Sequence, residues 1–168
     1  MALGRSGAYV YAAQCDAARL VGRKDAASNC AKAIAIDPKS RRALWANGRL
    51  ALTERRYTDA IANFNAYVTQ DPQRSDFGYY WRGVAYNRVG KYAFALDDIQ
   101  KFLTRTPQDA DALRERAIAR YGMGDKVAAL QDLDAASREY RKKGDLQAAD
   151  GVSAIRRALE TGTAIPLQ

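Results

Sequence analysis

The chain has 168 residues, of which 48% are hydrophobic and 27% are charged, and its formal net charge is +8. This balance is typical of a globular domain and excludes a chain that is disordered through most of its length. Histidine is absent and the only cysteines are Cys15 and Cys30, which excludes imidazole catalysis and a structural zinc site. We therefore expect no metal and no other cofactor.

Two features of the sequence bear on its location. No apolar run approaches the roughly 20 residues that a membrane span requires, and the first residues lack the apolar core of a signal peptide. We expect no membrane insertion and a cytoplasmic protein. If the chain is a piece of a longer exported protein, a periplasmic location is the alternative.

Alanine and proline recur at a long, nearly constant spacing. The alanines are Ala26, Ala60, Ala95 and Ala129, separated by 34, 35 and 34 residues. Proline follows the first three after twelve residues, at Pro38, Pro72 and Pro107. Helical amphipathicity repeats every three or four residues, so a period of this length indicates structural repeats.

Each repeat reads as two helices joined by a turn. The third repeat is the most regular, and its pattern residues are Tyr79, Gly83, Tyr86, Gly90, Ala95, Ile99, Phe102 and Pro107. The second repeat has Leu44, Gly48, Tyr57, Ala60, Phe64 and Pro72. Glycine within a helix costs about 1 kcal/mol relative to alanine. Gly48 and Gly83 therefore predict that another helix packs closely against each of them.

These residue types and spacings resemble the tetratricopeptide repeat family. The resemblance implies one all-α domain, a right-handed α-solenoid of about four helix-turn-helix repeats. We place the repeats at residues 7–40, 41–74, 76–109 and 110–143. The first and fourth are degenerate, with Gln14 and Ala117 where glycine is usual. A capping helix is predicted at about 145–160, followed by a mobile tail at 161–168 that alternatively belongs to the next element of a longer protein.

Aspartates on the second helices are the best candidates for catalysis. They are Asp97, Asp98, Asp132 and Asp134, and they alternate with apolar residues. Arg82 and Arg116 precede Asp98 and Asp132 by sixteen residues each, which predicts an arginine-to-aspartate pair across the two helices of a repeat. We favour this structural role over catalysis and expect a protein that is not an enzyme.

The two cysteines lie in predicted helices. A free buried cysteine behaves as a small hydrophobic residue, and the redox compartment decides whether two thiols oxidise. We expect Cys15 and Cys30 to be reduced.

The family resemblance also implies that the first helices of the repeats line a concave groove. An aromatic residue occupies the fifth place of three successive repeats, and arginine occupies it in the fourth. Aromatic rings provide apolar anchors, and guanidinium groups bind carboxylates in a bidentate manner. The pattern predicts a groove for an acidic peptide or partner protein, lined by Tyr11, Arg42, Trp45, Arg49, Tyr80, Asn87, Arg88 and Arg114. The alternative is that these aromatic side chains pack against neighbouring helices.

Three functions are compatible with such a chain. The one we favour is a scaffold or adaptor that binds a partner protein in the groove. The second is a module of a cell-envelope or polysaccharide-export assembly that binds an acidic glycan or an envelope partner. RNA binding is less favoured, because the basic residues are spread along the chain in short clusters. The sequence identifies no partner and leaves an oligomer possible.

Overall fold

A computed structural model describes residues 2–163, with side chains described from residue 6 onward. Over these residues the chain forms α-helices and one short 3-10 helix, with no β-strand. The α-helices are α1 (Ala2–Leu20), α2 (Ala26–Ile36), α3 (Arg41–Thr53), α4 (Tyr57–Gln70), α5 (Asp76–Arg88), α6 (Tyr92–Leu103), α7 (Ala110–Gly122), α8 (Lys126–Lys142) and α9 (Leu146–Thr161). The 3-10 helix spans Pro72–Arg74. The predicted all-α, helix-turn-helix fold class is confirmed.

The chain divides into two compact units, and the boundary along the chain falls within α5. The N-terminal unit is Met1–Ala85 and the C-terminal unit is Tyr86–Gln168.

Small residues form much of the core of the N-terminal unit. Helices α1, α2 and α3 pack around a cluster of Ala12, Cys15, Ala18, Ala26, Cys30, Ala33, Ala43, Ala46 and Leu50. A second cluster contains Ala51, Ala60, Phe64 and Ala85. A Cβ atom added at Gly48 would lie 2.9 Å from the ring of Phe64, which is fully buried. The predicted close helix contact at Gly48 is therefore confirmed.

In the C-terminal unit, α7 packs against α6 and α8, and α8 packs against α9. Its buried core includes Ile99, Leu133, Val152 and Leu159. The predicted pair of Arg116 with Asp132 is confirmed, with nitrogen-to-oxygen distances of 2.7 and 2.8 Å. The corresponding pair of Arg82 with Asp98 stays a prediction.

The turns that follow α1, α3, α5, α7, α8 and α9 share one backbone geometry. In each turn, one residue has a positive φ, and the N–H of the next residue bonds to a carbonyl five positions earlier. The positive-φ residues are Gly22, Arg55, Gly90, Gly124, Gly144 and Gly162. Arg55, with φ of 59°, is the one non-glycine residue among the positive-φ residues described. The left-handed region is unfavourable for a residue that carries a Cβ, so Arg55 is strained.

The expectation that the cysteines are reduced is wrong. Cys15 in α1 and Cys30 in α2 form a disulfide with their Cα atoms 5.1 Å apart. The two residues are nearly equidistant from the turn at Gly22, so the antiparallel helices bring them face to face. Alanines on both sides of the bond allow α1 and α2 to approach closely.

The last helix, α9, buries Ala149, Val152, Ile155 and Leu159. It occupies the position predicted for a capping helix. Most of the predicted tail, residues 164–168, lies outside the described residues. None of the helices within residues 2–163 combines the length and apolar content that a membrane crossing requires.

Candidate functional site

A pocket of about 410 Å³ in the C-terminal unit and a pocket of about 290 Å³ in the N-terminal unit both include predicted site residues. We call the second the aromatic pocket. It is lined by Arg41, Arg42, Trp45, Tyr67 and Phe77. Helices α3, α4 and α5 contribute these side chains.

Local structure at the start of α3 positions the arginine side of this pocket. The Ser40 side chain caps α3 by accepting a bond from the backbone N–H of Ala43, so the helix begins at Arg41. The Arg41 guanidinium lies 4.1 Å from the centre of the Tyr67 ring and donates to the Tyr67 carbonyl at 3.1 Å. Arg41 is therefore held by the protein itself, whereas the side chain of Arg42 is 43% exposed.

The aromatic side of the pocket has a fixed part and an exposed part. Trp45 packs against Phe64 and Tyr67, with ring centres 6.0 and 5.5 Å away. Phe77 is 60% exposed and also lines the pocket. Trp45 therefore follows, in part, the alternative that the predicted groove aromatics pack against neighbouring helices. Phe77 leaves an apolar surface accessible to a ligand.

Next to this pocket lie Arg19, Arg42 and Arg49, grouped about the carboxylate of Asp16; we call them the arginine cluster. Arg19 reaches Asp16 at 3.3 Å and Arg42 reaches it at 3.8 Å. Arg49 lies within electrostatic reach of both Arg19 and Asp16. Arg42 belongs both to the cluster and to the aromatic pocket.

Arg49 is the least compensated member of the cluster. Its guanidinium lies flat over the Trp81 ring, 3.4 Å from the ring centre. Its Nη1 atom is buried and has no hydrogen-bond partner among the described residues. Burial, with a further contribution from the charge of Arg19, lowers the pKa of Arg49 to about 10.

Tyr11 and Tyr80 complete the predicted set in this unit. Tyr11 is partly buried against the small-residue core, with the Lys32 ammonium 5.3 Å from its ring centre. Tyr80 is only 7% exposed and its ring meets that of Trp81 edge to face at 4.7 Å. Little of Tyr80 is left for a ligand.

In the C-terminal unit, the predicted residues Asn87, Arg88 and Arg114 converge on the buried carboxylate of Glu115. The Arg88 guanidinium donates to both carboxylate oxygens at 3.0 Å. The Asn87 side-chain amide donates to the Glu115 carbonyl at 2.8 Å and to its carboxylate at 3.1 Å. Arg114 lies 3.6 Å from Glu115 and 3.3 Å from Asp111.

Tyr140 extends this polar network. Its hydroxyl donates to Asp111 at 2.5 Å, and Arg114 donates to the hydroxyl at 3.4 Å. Burial, together with the hydrogen bond to Asp111, raises the pKa of Tyr140 above its usual range. The charged groups of this network therefore compensate one another within the protein.

The pocket of about 410 Å³ lies beside this network, and α7 and α9 supply most of its lining. Arg88 and Arg114 balance the formal charges of Glu115 and Asp145, and residues such as Ile118 and Ala154 are apolar. The pocket is charge-balanced, unlike the arginine cluster.

The residue set predicted from the sequence did not include Asp16, Glu115, Phe77 or Trp81. Glu115 stands between Arg114 and Arg116, and their spacing does not show which of the three side chains points inward. Phe77 occupies a groove position of the third repeat, so the repeat register was a usable signal for it.

The aspartates considered for catalysis contact basic side chains. Asp97 pairs with Lys101 at 2.6 Å, Asp134 with Arg156 at 3.1 Å, and Asp132 with both Arg116 and Arg120. These contacts support a structural role for the three aspartates.

No protein-family model matches the chain, and no curated protein sequence is significantly similar to it. Among solved structures, MamA 41-end from Desulfovibrio magneticus RS-1 has a TM-score of 0.69 at 16% identity, covering 93% of this chain and 96% of that one. Another crystal structure of MamA protein has a TM-score of 0.69 at 21% identity, covering 95% of this chain and 92% of that one. At these identities the likeness shows the fold, which is that of tetratricopeptide-type helical repeats.

Proposed function

We propose that the chain is a non-enzymatic scaffold that binds a segment of a partner protein at the aromatic pocket and the arginine cluster. The observation that carries the proposal is the exposed Phe77 side chain, which shares the lining of the aromatic pocket with Trp45 and Arg42. Aromatic and arginine side chains are enriched among the residues that dominate binding energy at protein interfaces.

The site retains part of the residue set expected from sequence. Arg42, Trp45 and Arg49 remain in the proposal, with Tyr11 as a flanking residue. Tyr80 and Asn87 are left out because they are buried. Arg88 is left out because it binds both carboxylate oxygens of Glu115 at 3.0 Å, and Arg114 because it lies within 3.6 Å of two carboxylates, those of Asp111 and Glu115.

A peptide array tests the proposal. Labelled protein is applied to immobilised twelve-residue peptides of varied sequence, and the wild type is expected to bind a subset of them. Phe77→Ala should weaken binding to that subset by roughly tenfold or more, the loss of a central anchor at an interface. The melting temperature should be nearly unchanged, because Phe77 is 60% exposed.

Phe94→Ala is the matched control, since Phe94 is 61% exposed and belongs to the C-terminal unit. This variant should bind the same peptides as the wild type. Binding that survives Phe77→Ala, or an array on which the wild type binds no peptide, would overturn the proposal.

A second candidate is a module of a cell-envelope assembly, which the Cys15–Cys30 disulfide favours over a cytoplasmic scaffold. Disulfides persist in oxidising compartments and are rare in the cytosol. A mass-tagged maleimide applied to denatured extracts of the source cells should label the cysteines only after reduction. Labelling without reduction would argue against this candidate and leave the binding site unaffected.

A further inference from the structure

The charges in the arginine cluster are unbalanced. Arg19, Arg42 and Arg49 carry three positive charges, and Asp16 is the one carboxylate within ion-pairing distance of Arg19 and Arg42 among the described residues. The formal charge of the group is therefore +2. The C-terminal unit differs, because both carboxylate oxygens of Glu115 accept hydrogen bonds from one guanidinium group, that of Arg88.

Arg49 supplies an unused donor at a fixed position. Its Nη1 is buried without a hydrogen-bond partner among the described residues, and such an atom loses hydration without compensation. Stacking on Trp81 fixes the plane of the guanidinium. Burial of the guanidinium, and then repulsion by Arg19, also lower the pKa of Arg49. A bound anion would accept a hydrogen bond from Nη1 and would neutralise part of the positive charge.

Arg42 connects the cluster to the aromatic pocket. It is more exposed than Asp16, with 43% of its side chain accessible against 15% for the carboxylate. Its distance of 3.8 Å from Asp16 is longer than a strong charge-assisted hydrogen bond. An incoming carboxylate can therefore reach Arg42 from solvent without breaking a tight ion pair.

Building on the proposed function, we propose that Arg19, Arg42 and Arg49 form a subsite for one carboxylate side chain of the bound segment. The aromatic pocket holds a neighbouring apolar or aromatic side chain of the same segment. The ligand is thus an acidic residue, aspartate or glutamate, within a few positions of a large apolar residue. Asp16 keeps the arginines oriented and competes with the ligand for them.

Two matched sets of synthetic peptides test the subsite. Each eight-residue peptide carries one phenylalanine, with a glutamate placed one to four positions away, and the second set has glutamine in place of glutamate. Binding is measured by isothermal titration calorimetry. The Kd of the wild type for the best glutamate peptide should be about tenfold lower than for its glutamine partner. A tenfold change in Kd corresponds to the contribution of about one charge-assisted hydrogen bond.

Two variants separate the subsite from the aromatic pocket. Arg49→Gln should abolish the preference for glutamate while leaving affinity for the glutamine peptide unchanged. Asp16→Asn should strengthen binding of the glutamate peptide several-fold, because a competing carboxylate is removed. Arg138→Gln and Asp97→Asn are exposed substitutions in the C-terminal unit and should leave both affinities unchanged.

The outcomes distinguish this inference from the function on which it rests. Equal binding of the two peptide sets, with binding still lost in Phe77→Ala, would overturn the subsite and leave the scaffold proposal standing. Failure of every peptide to bind would overturn both. An Arg49-dependent affinity for an oligo-uronate, with none for the peptides, would replace the acidic peptide with an acidic glycan.

Discussion

The two units place arginine at the same repeat position and use it differently. Arg19 and Arg88 both occupy the thirteenth position of their predicted repeats. Arg88 binds both oxygens of the buried Glu115, whereas Arg19 shares the partly exposed Asp16 with Arg42. The difference lies in the balance of charge: Arg88 binds one carboxylate with both of its prongs, whereas Arg19 and Arg42 share a single carboxylate at longer distances and leave positive charge uncompensated.

The largest effect is expected from Glu115→Ala in the C-terminal unit. The substitution removes the carboxylate partner of the largely buried Arg88 and one of the two acceptors of the buried Asn87 amide. Breaking a buried ion pair by removing one partner typically costs about 3–5 kcal/mol. Asp16→Ala should cost less, because the contacts of Asp16 with Arg19 and Arg42, at 3.3 and 3.8 Å, are longer than the two 3.0 Å hydrogen bonds between Arg88 and Glu115. Urea unfolding followed by circular dichroism measures both values. Equal losses for the two variants would remove the distinction between the units.

Loss of the disulfide should destabilise the N-terminal unit selectively. The bond closes a loop with a sequence separation of 15, and a loop of that size is worth about 3 kcal/mol. Reduction should lower hydrogen-exchange protection in α1 and α2 and leave that of α7 and α8 unchanged. The double variant Cys15→Ala with Cys30→Ala is the control, because a reductant should not affect it. Unchanged protection in α1 and α2 of the wild type after reduction would contradict the prediction.

Glycine contacts offer a third comparison of the units. Gly48→Ala should cost about 1–3 kcal/mol, since overpacking against the fully buried Phe64 ring has no easy relief. Gly122→Ala should cost less, although its Cβ would lie 2.4 Å from Tyr92, because the Tyr92 ring is only partly buried and can rotate away. Thermal unfolding of the two variants gives the order. A larger loss for Gly122→Ala would show that ring burial does not decide the cost.

The smallest expected effect is a gain of stability in Arg55→Gly. A left-handed conformation costs a residue with a Cβ about 1–2 kcal/mol, and the greater unfolded-state freedom of glycine offsets about half of that. We expect a net gain of about 0.5–1 kcal/mol in urea unfolding. Arg56→Gly, at the next position, provides a control that should not gain. Gly124→Arg in the C-terminal unit should lose a similar amount.

Much of the fold could be predicted because its signals are local or periodic. The recurrence of Ala60, Ala95 and Ala129 defined the repeats, and glycine at position 48 indicated a close contact with another helix. The pairing of Arg116 with Asp132 followed from an identical spacing in two repeats. Each of these inferences needed only the helical period and the repeat length.

The site was predicted less well, because it depends on which charges meet across helices. The sequence gives Asp16 and Glu115 no feature that distinguishes a shared, partly exposed carboxylate from a buried, bidentate one. The disulfide was missed for a related reason. Its formation depends on the redox compartment as well as on the positions of Cys15 and Cys30, and the residues alone do not identify that compartment.

The most direct test of the central claim observes the arginine side chains during binding. The Nε–H resonances of all arginines are followed by nuclear magnetic resonance while the best glutamate peptide, and then its glutamine partner, is added. Resonances of Arg42 and Arg49 should shift saturably and further with the glutamate peptide than with its glutamine partner, while those of Arg88 and Arg116 stay in place. Equal shifts in all four residues, or none at Arg42 and Arg49, would contradict the account.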